Sequence, residues 1–162
     1  MKNNLKWKKQ FFSSTYSIYS EEQIIGKLKN NSFTQSAVDV LNGKEFEFKT
    51  KGFFQQDTEI IDKKENKVIG TITYSSWMTK AKIALTGKSI NWKYDNVWNT
   101  SWSIFENEGI EIKYAGSYSN GRIESNTDDE VLLLSGLFVT NYYWQLSLAL
   151  MVAIFLPIWI SF

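Results

Sequence analysis

From Val131 to Phe162 the chain carries no charged residue, and every Asp, Glu, Lys and Arg lies at or before Glu130. A helix that is apolar on all sides has no face to give to water. This segment must therefore be buried all round, by protein or by lipid. The residues before it follow another rhythm. From about residue 11 to 125, apolar and polar side chains alternate with period two and are broken at short intervals by Gly, Asn and Asp. Phe46 and Phe48 alternate with Glu45, Glu47 and Lys49; Ile90, Trp92 and Tyr94 fall on alternate positions; Ile110-Glu111-Ile112-Lys113-Tyr114 is a clean example. Such segments are half-buried strands. Others are Ile24 to Asn31, Ala37 to Val40, Phe53 to Ile61, Val68 to Tyr74, Lys80 to Leu85, Trp98 to Phe105 and Ser117 to Glu124. The pattern predicts eleven or twelve strands in mostly up-and-down order, with tight hairpin turns at Asn42-Gly43 and Asn120-Gly121.

Proline is absent until Pro157, so no strand edge is blunted by one. Sheets without such protection remove their edges by closing into a barrel; a two-sheet sandwich is the alternative. Size then links the two halves of the sequence. Twelve strands about 4.8 Å apart and tilted by about 40° give a diameter of roughly 24 Å, too wide for the barrel's own side chains to fill. One helix, about 10–12 Å across, fits along the axis. The candidate begins at about Asp128, with Thr127 or Asp128 as N-cap and acidic residues in its first turn. The barrel is roughly 18 Å high, a height that a helix crosses in roughly twelve residues. The plug is thus expected over 128–142, with Val131, Leu133, Leu134, Leu137 and Phe138 inside.

Residues 143–162 are left over. They include Trp144, Leu146, Leu148, Leu150, Val152, Ile154, Phe155 and Trp159, and about twenty apolar residues with aromatic residues at both ends match a bilayer span. A longer internal plug or a hydrophobic contact between two copies would also cover them. Residues 1–10 hold Lys2, Lys6, Lys8 and Lys9 and read as a basic tail or, more sharply, a juxtamembrane patch. Hydroxyl side chains interrupt the apolar residues that follow, so no cleavable signal is expected, and the barrel (11–142) is expected to stay on the cytoplasmic side.

Composition narrows the chemistry. The 162 residues fit one domain, with a net charge of +1 and neither Cys nor His. Disulfides, thiolate nucleophiles, imidazole bases and nearly all zinc sites are excluded, and no global basic field invites nucleic acid. The glycine-rich phosphate loops and the hydrolase and metalloprotease motifs are absent. No catalytic residue, metal or cofactor is expected. Asp57, Glu59 and Asp62 could coordinate a hard cation such as calcium, but they lack calcium-loop spacing, and alternation along a strand accounts more simply for Asp57 and Glu59. Trp92, Trp98 and Trp102 read as core packing. Sequons at Asn30 and Asn99 matter only in a secreted chain.

The strands carrying Asp57-Thr58-Glu59-Ile60-Ile61-Asp62, Val68-Ile69-Gly70-Thr71-Ile72 and Lys82-Ile83-Ala84-Leu85, followed by Asp129-Glu130-Val131-Leu132-Leu133-Leu134-Ser135-Gly136-Leu137-Phe138-Val139, resemble the tubby C-terminal-like superfamily. That group includes tubby proteins, phospholipid scramblases and LURP-one-related proteins. The resemblance covers roughly residues 11 to 142 and implies a twelve-stranded barrel around a hydrophobic C-terminal helix. It also implies a membrane lipid as partner, through phosphoinositide binding on the barrel surface or through lipid movement. Lys80 and Lys82 share the outward face of a strand and are the candidates for a lipid headgroup; a solvated strand face explains them as well. The tail from Tyr143 departs from the family, whose chains commonly end soon after the buried helix. The expectation is a non-enzymatic, membrane-associated barrel serving as a lipid-surface or interaction module, with a scramblase-type protein or a soluble domain with a wholly buried tail as alternatives. No protein partner can be named from the sequence.

Overall fold

The computed structural model describes residues 3–10, 13–31, 34–52, 56–107 and 109–160. The strands are β1 (Asn3–Lys9), β2 (Thr15–Ser20), β3 (Gln23–Asn31), β4 (Ser36–Leu41), β5 (Lys44–Lys51) and β6 (Asp57–Asp62). They continue as β7 (Lys67–Tyr74), β8 (Lys80–Leu85), β9 (Lys88–Tyr94), β10 (Ser101–Phe105), β11 (Glu111–Gly116) and β12 (Asn120–Ser125), and one helix, α1 (Glu130–Ile160), ends the described chain. Each strand pairs antiparallel with the next, and β1 pairs with β12 to close a barrel. The expected closed twelve-strand barrel with a C-terminal helix is what the chain forms.

Two details correct the sequence reading. Residues 3–9 are not a tail but the strand that closes the barrel, with Leu5 opposite Ile123 and Ser20. Leu5 and Trp7 point inward and are buried, while Lys6 and Lys8 point outward. The alternation there is too short, and too crowded with lysine, to stand out. The second correction is Asn120-Gly121, which lies inside β12, while the turn falls just before it, with the Ser117 amide donating to the Asn120 carbonyl at 2.9 Å. Gly116 and Gly121 face each other across this hairpin, and a Cβ on either would meet the Trp7 ring, at 2.8 and 2.6 Å. They are packing glycines. At Asn42-Gly43 the turn is as expected, with φ of 51° and 78°. The expected strand from Phe53 begins at Asp57; Phe53, Phe54 and Gln55 lie outside the described residues, as do Lys2 and Phe162.

Up-and-down order gives the barrel two distinct ends. The helix enters at the end formed by the β2–β3, β4–β5, β6–β7, β8–β9 and β10–β11 turns. Asp129, not Thr127 or Asp128, caps it, its Oδ1 accepting from the Leu132 amide at 3.2 Å. Lys44 from the β4–β5 hairpin pairs with Glu130 at 2.9 Å. From Val131 to Tyr143 every residue of α1 is buried, about 20 Å of helix at about 1.5 Å per residue. Leu28, Leu41, Phe48, Ile60, Ile72, Ile83, Ile90, Trp92, Ile104, Ile112 and Ile123 surround it from the strands. Polar contacts fix its depth and rotation. Trp92 Nε1 donates to the Gly136 carbonyl at 3.3 Å, the Tyr114 hydroxyl donates between the Leu132 and Leu133 carbonyls at 3.2 and 3.1 Å, and Tyr16 donates to Asn141 Oδ1 at 3.1 Å.

Candidate functional site at the barrel mouth

At the opposite end the helix leaves through a collar of aromatic residues. Tyr142 stacks on Tyr74 with centroids 3.9 Å apart and donates to Gln56 Oε1. The Tyr143 hydroxyl accepts from the Ser75 amide at 3.2 Å and donates to the Lys80 carbonyl. Trp144 lies parallel to Tyr118 at 4.8 Å. These three consecutive residues bind the β5–β6, β7–β8 and β11–β12 loops to one level of the helix. Burial pushes the Tyr142 phenol up to about 12, so the collar stays neutral at any ordinary pH.

Past the collar the surroundings change while the composition does not. Trp144 and Leu146 are half-buried; Leu148, Leu150, Val152, Ile154, Phe155 and Trp159 are exposed, Trp159 by 84%. The helix continues without a break through Pro157 to Ile160 and is long and apolar enough to cross a membrane by length and composition. The expected plug residues Val131, Leu133, Leu134, Leu137 and Phe138 are all inside the barrel. The change of surroundings therefore comes within two residues of the boundary that barrel height predicted. The plug and the tail are one continuous helix, which periodicity could not reveal because both halves are apolar all round.

The lysines sort into two groups. Lys80 and Lys82 do point outward from β8, beside the mouth, and Lys80 stands opposite Lys93 of β9. Lys93 lies 3.9 Å from Asp95 and over the Phe105 ring. Around the closure of the barrel, Lys6 faces Arg122 across the β1–β12 pair, two like charges whose mutual repulsion an anion would relieve. Sequence reading missed this second patch because Arg122 is remote in the chain. Lys9, at the mouth end of β1, lies 4.3 Å from the centroid of the Tyr118 ring that Trp144 covers.

Trp98 is not core. It belongs to the β9–β10 loop and is 81% exposed, whereas Trp92 and Trp102 are buried as expected. Glu59 pairs with Lys51 at 2.6 Å, and among the described residues no cluster of three acidic side chains is arranged to hold a metal ion. Asp39 is the one buried carboxylate among the described residues. It points inward from β4 and neither oxygen has a hydrogen-bond partner. Burial raises its pKa well above the usual carboxylate range, and the Lys29 backbone amide, short of full hydrogen-bond geometry, pulls weakly the other way.

No family model, curated protein or solved structure matches this chain.

Proposed function

We propose that the protein is a non-enzymatic barrel module held at a lipid bilayer by the outer half of α1. One observation carries this reading: α1 passes from fully buried at Tyr143 to exposed on every side from Leu148, with no polar face to meet water. Exposing that surface is unfavourable at about 25 cal/mol per Å² of apolar area, and a bilayer removes it from water. Trp144 to Ile160 rises about 25 Å, close to the roughly 30 Å of a hydrocarbon core. Trp144 and Trp159 fall near its two boundaries, where indole rings are favoured. The inner half of the same helix fills the barrel, which favours anchoring and surface binding over lipid passage through a lumen. It also leaves the wholly buried tail without support.

The acidic residues before the helix, Asp128 to Glu130, lie at the far end of the barrel. Lys9 and Lys80 surround the exit instead. Basic residues at the membrane end favour the cytoplasmic side for the barrel. The tubby-like resemblance adds an anionic headgroup near Lys80 and Lys82 as the bound class. The test is alkaline carbonate extraction of wild type and Val152→Arg from membranes. Wild type should stay with the lipid. The arginine costs about 2.5–3.5 kcal/mol of insertion and should release the protein with its melting temperature unchanged. Extraction of wild type as a soluble monomer contradicts the proposal.

A further inference from the structure

Resting on that reading, we infer that the rim of the barrel mouth is itself a docking surface for an anionic phospholipid bilayer, so that the barrel sits on the membrane in a fixed orientation and does not hang from a free tether. The two ends of the barrel differ in kind. At the mouth, the β7–β8 loop carries Trp77, 86% exposed, and the β9–β10 loop carries Val97 and Trp98, 88% and 81% exposed. Tyr118 of the β11–β12 turn, half exposed, stacks on Trp144 where the helix emerges. Large apolar side chains this exposed on separate loops of one rim mark an interaction surface. Trp and Tyr are the residues that settle at the boundary between headgroups and acyl chains. The loops of the opposite rim present Glu21 and Glu22, Lys63 to Asn66, Glu106, and Asp128 with Asp129, and its exposed apolar side chains, Ile24 and Val68 at the starts of β3 and β7, are aliphatic and only about half exposed.

Charge follows the same axis. Lys9, Lys29, Lys80 and Lys82 lie in the mouth-side parts of β1, β3 and β8 and belong to no ion pair among the described residues. Asp57 and Asp95 are acidic residues of the same rim, and Glu47 lines one groove with Lys29. The molecule is thus positive towards the exposed helix and negative away from it, the polarity that an anionic leaflet selects. The collar adds the geometric condition. Because Tyr142, Tyr143 and Trp144 bind three mouth loops to the helix at one level, a helix that enters a bilayer from Trp144 onward carries Trp77, on the bound β7–β8 loop, to the headgroup layer with it, and Trp98 stands on the β9–β10 loop of the same rim.

The chain has no cysteine, so single Ser76→Cys, Val97→Cys, Glu65→Cys and Val152→Cys variants each accept one environment-sensitive fluorophore. Each full-length variant is reconstituted into vesicles of three parts phosphatidylcholine to one part phosphatidylglycerol. Quenching by bromine-labelled lipid is compared with quenching by aqueous iodide, and circular dichroism checks the fold. The expected result is strong lipid quenching at 152, several-fold more lipid quenching at 76 and 97 than at 65, and loss of the signal at 76 and 97 when Lys80→Glu and Lys82→Glu are combined. Lipid quenching at 152 with iodide-accessible labels at 76 and 97 overturns rim docking and leaves the anchor intact. Labels at 76 and 97 shielded from both quenchers indicate a protein partner or a second copy on the rim and also overturn it. An unquenched label at 152 overturns the anchor itself.

Discussion

Asp39 is the residue at which the barrel is least at ease. Its neighbours across the ladder are Leu28 and Phe46, both buried, and a carboxylate among them is held in its neutral form. The sign of the resulting pH dependence is fixed. Below about pH 4 folded and unfolded chains both carry the proton. As pH rises past that value the unfolded chain releases it and the folded chain does not, so stability falls with rising pH. Asp39→Asn removes this slope. The variant should melt at a higher temperature than wild type at neutral pH, and the difference should shrink towards zero as pH is lowered to about 3. A constant difference across that range would show that Asp39 does not titrate in this way. The exposed pair Lys51–Glu59, by contrast, should contribute no more than about 1 kcal/mol, and exchanging it should leave melting nearly unchanged.

At the scale of the element, Gly136 decides where α1 sits. In an isolated helix Gly136→Ala would gain about 1 kcal/mol. Here the added Cβ would lie 2.2 Å from Cζ of Tyr114, a ring held in place by its hydroxyl on the Leu132 and Leu133 carbonyls and by stacking on Trp102 at 5.5 Å. Overpacking of this kind costs about 1–3 kcal/mol and outweighs the propensity. Thermal melting of Gly136→Ala should therefore show a net loss. Leu137→Asp, which buries an unpaired charge on the same helix, should cost several kcal/mol, an amount comparable with the whole stability of a domain, and should leave little folded barrel by circular dichroism. A Leu137→Asp chain melting like wild type contradicts an internal helix.

The same scale shows what the sequence could and could not reveal. The strands with clean alternation, β5, β8, β9 and β11, were legible because one face is packed on the helix and the other meets water. The strand β1 was not, since its inward pair Leu5 and Trp7 is flanked by lysines that also suit a tail. The Gly121 signal was real but belonged to packing against Trp7, not to a turn. Trp98 was misassigned because an aromatic residue near a strand reads as core whether it points inward or, as here, away from the barrel altogether. The basic pair at the barrel closure was beyond reach, since pairing of the first strand with the last brings Lys6 to Arg122.

Across the whole molecule, the helix carries one apolar composition from the barrel interior to an exposed outer half. Barrel height predicted where one must end and the other begin, and the aromatic collar at Tyr142 to Trp144 marks that level. The test of this division compares two positions on one helix. Nitroxide labels on single Ser135→Cys and Val152→Cys variants, reconstituted in vesicles, report collision with oxygen, which concentrates in lipid, and with a nickel chelate, which stays in water. The account predicts that Ser135, fully buried among strand side chains, is shielded from both reagents, while Val152 is open to oxygen and closed to nickel. Access of the nickel chelate to Val152, or shielding of Val152 from oxygen as complete as that of Ser135, would contradict it.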